Sequence, residues 1–230
     1  MRLPVRREYH ALLDDTMGPT LAAAGFTHRR NPMEANRRED DFVRPLPNSD
    51  LAHVISTQET QYASDTCTRW TVITALYVPE LRAIRSAPPD DHIPCAGDCF
   101  GSARIGELLR ADEDFWYQLG SDGVPEALGA PPPRHPTQDD YAPLRPPSVR
   151  RALLRDLEQV ILPYLAPLTD RAALYRHFTG PRAPRSAGIL DRLALELALG
   201  KLDEAQGHLA QLPDRPDLRA YARTHYGLKF

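Results

Sequence analysis

The chain has 230 residues, 28 Lys+Arg against 31 Asp+Glu for a formal net charge of -3, and 42% apolar residues. That is enough hydrophobic material for a packed core and too balanced a charge for a strongly cationic polyanion-binding tail, so wholesale disorder and such a tail are both excluded. Two biases stand out: 23 prolines, and 26 Arg against two Lys, Lys201 and Lys229. Length allows one large domain or two small ones.

No apolar run approaches the roughly 18 residues that a membrane helix needs. Three arginines lie between Met1 and Tyr9 with no apolar stretch behind them, which is not the pattern of a signal peptide. The cysteines, Cys67, Cys95 and Cys99, are odd in number and sparse. They read as reduced thiols of a cytoplasmic protein, not as a disulfide framework.

From Arg6 to Ala24 the apolar positions Tyr9, Leu12, Leu13, Met17, Leu21 and Ala24 recur at helical steps. Gly18-Pro19 interrupts that stripe and predicts a kink or two abutting short helices. Gly25 suits the left-handed residue that closes a helix. Leu51–Gln61 and Thr68–Val78 then read as strands, joined through a short polar connection as a hairpin. In the second run Trp70, Val72, Thr74, Leu76 and Val78 share one face, and Arg69, Thr71 and Tyr77 the other. That alternation predicts one buried and one partly solvated face. Phe26–Arg30 and Asp41–Leu46 are further strand candidates, with Pro45 pushing the latter to an edge.

Most of Ile93–Gly101 reads as loop, and Arg104–Leu119 as a short helix or a second hairpin. Pro125–Pro147 holds eight prolines and reads as a linker or an ordered belt. Helices follow: one capped by Ser148, one capped by Thr169 or Asp170 and running to Phe178, and an αα-hairpin from Ala187–Leu199 and Lys201–Leu212. Asp217–Tyr226 adds a last helix. The expected fold is α+β: a kinked N-terminal helix on an antiparallel sheet of about four or more strands, then a C-terminal helical region with an αα-hairpin. The corresponding boundaries are 1–124 for the sheet unit, 125–147 for the Pro-rich segment and 148–230 for the helices, packed on the sheet.

Three patches carry a family resemblance: Met17–Phe26 with the basic residues after it, Trp70–Pro79, and Arg104–Leu108 with Phe115-Trp116 and the later Ile161–Leu165. Over about residues 6–165 the chain resembles a bacterial family of unknown function, number 4304. The resemblance implies an α+β domain in a bacterial cytoplasm and supplies no catalytic residues. The stretch Asn31–Glu39 departs from it, being longer and more polar than the tight turn expected there.

Two constellations carry chemistry. His92, Cys95 and Cys99 offer imidazole and thiolate at spacings that zinc accepts, and Cys67 could complete a tetrahedral set. Against them, a second paired cysteine motif is missing, and the plain reading is three ordinary thiols. Arg29, Arg30, Arg37, Arg38 and Arg44, with His28, form a basic cluster that could grip phosphates along a strand edge. Glu34, Glu39, Asp40 and Asp41 are interleaved with it, which favours an edge strand kept soluble by charge. Neither a cysteine-nucleophile signature nor a glycine-rich phosphate loop is present in the sequence.

The preferred expectation is therefore a non-catalytic cytoplasmic domain, without cofactor, that binds another protein. An immunity-like role, neutralising a cognate toxin, is one form of it. A nucleic-acid-associated protein and a small metal protein or enzyme are the alternatives. A homodimer through an uncovered strand edge or the C-terminal hairpin stays open, and no membrane partner is expected.

Overall fold

A computed structural model describes residues 4–30, 40–59, 67–84, 96, 99–109, 116–120, 147–181, 183, 188–212 and 214–229. The chain is α+β. Helix α1 (Pro4–Ala23) leads into β1 (Thr27–Arg30), β2 (Asp40–Pro45), β3 (Ala52–Glu59) and β4 (Cys67–Tyr77). A short α2 (Pro79–Ile84), β5 (Phe100–Arg104), α3 (Ile105–Leu108) and β6 (Tyr117–Gly120) follow. All described strand pairs are antiparallel, in the order β1-β2-β3-β4-β5, with β6 also paired to β4. β5 pairs with the Ile73–Leu76 end of β4 and β6 with the Cys67–Trp70 end, so the two act as one outer strand broken in the middle.

Helix α1 runs unbroken through Gly18-Pro19, where the sequence predicts a kink or a break. Pro19 has no N–H to give the Asp15 carbonyl four residues back, and an orphan carbonyl destabilises a helix. Here the Arg150 guanidinium donates to that carbonyl at 3.4 Å, and the Thr20 hydroxyl binds the Thr16 carbonyl at 3.0 Å. Gly25 closes the helix at φ +85°, and the Phe26 amide returns to the Leu21 carbonyl at 2.9 Å.

Tyr9, Leu12, Leu13, Met17 and Leu21 of α1 form a first core with Phe42, Ile55, Trp70, Val72 and Tyr117 on one face of the sheet. Helix α4 (Pro147–Asp156), a π-helical turn (Leu157–Ile161) and α5 (Leu162–Leu165) close it with Val149, Leu153, Leu157, Ile161 and Leu165. The π turn lies just before Pro163, which cannot donate to the Gln159 carbonyl, and the Leu162 amide reaches five residues back to Leu157. Inside this core the Tyr117 hydroxyl donates to Asp156 Oδ2 at 2.7 Å, and Arg155 holds Oδ1 with two N–H groups. Burial, and then the Asp156 charge, push the Tyr117 hydroxyl well above its ordinary value, so it stays a donor.

A second core gathers at the far end of the sheet. Leu46, Leu51, Leu76, Val78 and Phe100 pack there against Leu81 and Ile84 of α2 and against the C-terminal helices. These are α6 (Arg171–Thr179), α7 (Ile189–Ala198), α8 (Leu202–Ala210) and α9 (Pro216–Tyr226). The predicted hairpin is α7–α8, and α7 is buried along Leu193–Leu197 because α2, α6 and α8 all touch it. Its Glu196 carboxylate, 1% exposed, meets His208 Nδ1 of α8 at 2.7 Å. Arg171 of α6 ties the β2–β3 turn to α2, binding both oxygens of Asp50 at 2.9 Å and Glu80 at 2.7 Å. Asp170 caps α6 by accepting from the Ala173 amide at 2.8 Å. Asp170→Ala removes one exposed cap, and urea denaturation is expected to report a loss of about 1 kcal/mol.

Three further expectations shift. β2 is not an edge strand: it lies between β1 and β3, and Pro45 is tolerated because β1 pairs only as far as Val43. Ser148 stands within the first turn of α4 instead of before it. The second sheet face is also buried, since Cys67 to Leu76 are buried at every position of β4. Residues 31–39, the predicted departure from the resembled family, and 121–146, most of the predicted Pro-rich segment, lie outside the described residues. Among the described residues no helix is long and apolar enough to cross a membrane.

Candidate functional site

The basic cluster separates once the register is known. Arg29 pairs with Asp41, and Arg30 with Asp40 at the far end of β1. Arg44 is two strand positions beyond Phe42 on the opposite face from Asp41, because neighbouring residues of a strand alternate. Arg29 and Arg44 therefore project from opposite sides of the sheet. Arg37 and Arg38 lie outside the described residues. His28 stacks on Phe42 at 4.4 Å with Asp14 of α1 4.0 Å away.

Arg44 is turned into the protein. Its guanidinium donates to the Ala24 carbonyl at 2.9 Å and to His53 Nδ1 at 2.7 Å, and it stands 4.7 Å over the Phe26 ring. His53, 1% exposed, donates through Nε2 to the Leu168 carbonyl at 2.8 Å. Burial lowers the His53 pKa to about 4, the Leu168 carbonyl opposing and the Arg44 charge adding to the effect. The ring is thus neutral at pH 7, an acceptor towards Arg44 and a donor towards Leu168. Together Arg44 and His53 fasten the end of α1, the sheet and the α5–α6 connection. In the sequence Arg44 reads as a surface cation, and His53 carries no motif.

The metal motif is only partly described. His92 and Cys95 lie outside the described residues. Cys99 is buried on the second sheet face among Val43, Val54, Ala75 and Ala96. Its neighbour Phe100 pairs with Leu76, whereas Cys67 opens β4 nine positions earlier. At about 3.3 Å per residue the two thiols are roughly 30 Å apart, so Cys67 does not join a site containing Cys99. Among the described residues no group of three or more His, Cys, Asp and Glu side chains gathers to hold a metal ion.

The second sheet face has two halves. Next to the apolar group around Val54 and Ala75, the Ser56 hydroxyl donates to Asp41 and accepts the Ala96 amide at 2.9 Å. Beyond this row the face becomes polar. Arg104 of β5 donates to Gln58 of β3 at 3.3 Å, and Arg69 of β4 donates to Gln118 of β6 at 2.8 Å. Thr71 stands between them on β4, opposite Gln58. The Arg104 guanidinium also stands 5.8 Å from the Trp116 ring centre. Alternation in the sequence marks Arg69 and Thr71 as sharing a face, but only the register brings Gln58, Arg104 and Gln118 to them.

Set against known protein families, curated proteins and solved structures, the chain gives no match.

Proposed function

We propose that this chain is a protein-binding domain of a bacterial cytoplasm that takes an extended, acidic segment of its partner along β1. The observation that carries the reading is the edge itself. β1 pairs with β2 on one side, and no described strand pairs with its other side. An unpaired edge presents backbone N–H and C=O groups ready to add a strand, and side-chain charge selects which strand is accepted. Thr27 is exposed and His28 and Arg29 partly so, which favours carboxylates. A second copy of β1 would oppose cations to cations, so the edge discriminates against self-pairing. The bacterial, cytoplasmic setting is part of the proposal and rests on the resemblance read from the sequence alone, for which no family model gives a match.

The nucleic-acid reading is weaker on the same grounds. A phosphate backbone asks for several cations in a row, and Arg44 has its guanidinium committed to Ala24, His53 and Phe26. Thr27→Glu puts a like charge on the exposed edge while leaving the core untouched. Capture from lysate of the source cells is expected to yield a stoichiometric protein companion with the wild type. Thr27→Glu should weaken that companion about tenfold, roughly 1.4 kcal/mol. Companions indifferent to the substitution overturn the edge, and loss of all bound material on nuclease treatment replaces a protein with a nucleic acid.

A further inference from the structure

We infer that His208, on the α7–α8 hairpin, accepts a phosphoryl group at Nε2 from a donor of the acyl phosphate class. His208 lies in the last turn of α8, with its side chain 24% exposed. Nδ1 faces inward, 2.7 Å from the carboxylate of Glu196 on α7, which is 1% exposed. In the neutral ring that contact puts the proton on Nδ1 and leaves the lone pair on Nε2. Nε2 has no hydrogen-bond partner among the described residues, and it is not shut off from solvent. Every residue of the two helices and of the turn between them is described.

Glu196 is the costly part of the pair. Leu193, Ala194, Leu195 and Leu197 of α7 are buried around it, and a carboxylate among them costs free energy that an apolar pair would not. A link between two helices needs no ring nitrogen left at the surface, whereas a nucleophile does. Arg192 stands one turn before Glu196 on the same side of α7, since residues four apart share a helix face. It is partly exposed and has no ion-pair partner among the described residues. A guanidinium there suits phosphoryl oxygens. Glu204, one turn before His208 on α8, has its charge matched by Lys201 at 3.3 Å.

In the transfer the Nε2 lone pair attacks phosphorus, and the P–O bond to the acyl group breaks. The carboxylate leaves with the bonding pair. The ring becomes a phosphorylated imidazolium that keeps its Nδ1 proton, and the Glu196 charge lies against it. No residue of β1 takes part, so the site is independent of the proposed protein contact.

The test incubates the full chain with acetyl phosphate and maps the eight histidines by mass spectrometry. The expected product is one alkali-stable, acid-labile phosphoryl group on His208. It should form at least about tenfold faster than on any other histidine, or on His208 in the urea-unfolded chain. Glu196→Gln still accepts the Nδ1 hydrogen bond but lacks the charge, and should slow labelling about tenfold. Arg192→Gln, at a partly exposed position, should slow it by a similar factor. Circular dichroism checks that both variants fold. Absence of label on His208, equal labelling of another histidine, or labelling unchanged by both variants overturns the acceptor and leaves Glu196–His208 a link between helices.

Discussion

Gly101→Ala is expected to destabilise the protein by about 4 kcal/mol, a large share of the 5–15 kcal/mol typical of a folded chain. Gly101 stands at φ +56°, where a side chain costs about 1–2 kcal/mol. The added methyl would also lie 2.2 Å from Cζ of Phe178, a fully buried ring that meets Phe100 edge-on at 4.4 Å. Overpacking against such a ring costs about 1–3 kcal/mol, because neither the ring nor strand β5 has room to yield. At roughly 2–4 °C per kcal/mol, the thermal midpoint should fall by about 10 °C. Phe178→Leu in the Gly101→Ala background should recover the packing part and leave the backbone part. A Gly101→Ala protein as stable as the wild type would mean that β5 does not seat against α6 as described.

His53 makes the second large effect, and it depends on pH. The folded ring has a pKa of about 4, against 6.5 for the unfolded chain. Between those values the unfolded state carries the extra proton, so stability falls as pH drops from 6.5 towards 4 and levels off below. The difference corresponds to about 3 kcal/mol. Protonation would place a cation against the Arg44 guanidinium and remove the lone pair that Arg44 uses. Urea denaturation across pH 4–7 should show this slope in the wild type and a flatter one in His53→Gln, which does not titrate. Parallel slopes would remove His53 as the source.

Periodic segments were legible in the chain. The stripe Tyr9, Leu12, Leu13, Met17, Leu21 marks the buried side of α1, and alternation from Trp70 to Leu76 marks the core face of β4. A cap at Thr169 or Asp170 and the α7–α8 pair are equally plain, because capping and helical spacing are local signals. What stayed hidden depends on neighbours far along the chain. Pro19 breaks a helix in isolation, and Arg150, 135 residues away, supplies a donor to the Asp15 carbonyl. Pro45 suggests an edge, yet among the described strands it is β1, a four-residue strand with little apolar content, that ends the sheet on that side. Arg44 reads as part of a surface cluster until the register sets it opposite Arg29's face and next to His53. The polar half-face drew residues from β3, β4, β5 and β6, and no single segment contains enough of it to be noticed.

The hydrogen bond from Arg150 to Asp15 has a consequence for synthesis. Helix α1 leaves the ribosome well before part of the core that covers it, which comes from Val149 to Leu165. At about 5–20 residues per second, that partner emerges roughly 10–30 s later. During that interval the apolar stripe of α1 is covered at most on its sheet side, and its proline-weakened turn lacks the Arg150 donor. Helix α1 is thus made long before it can become fully native, and the nascent chain is exposed to misassembly along that helix.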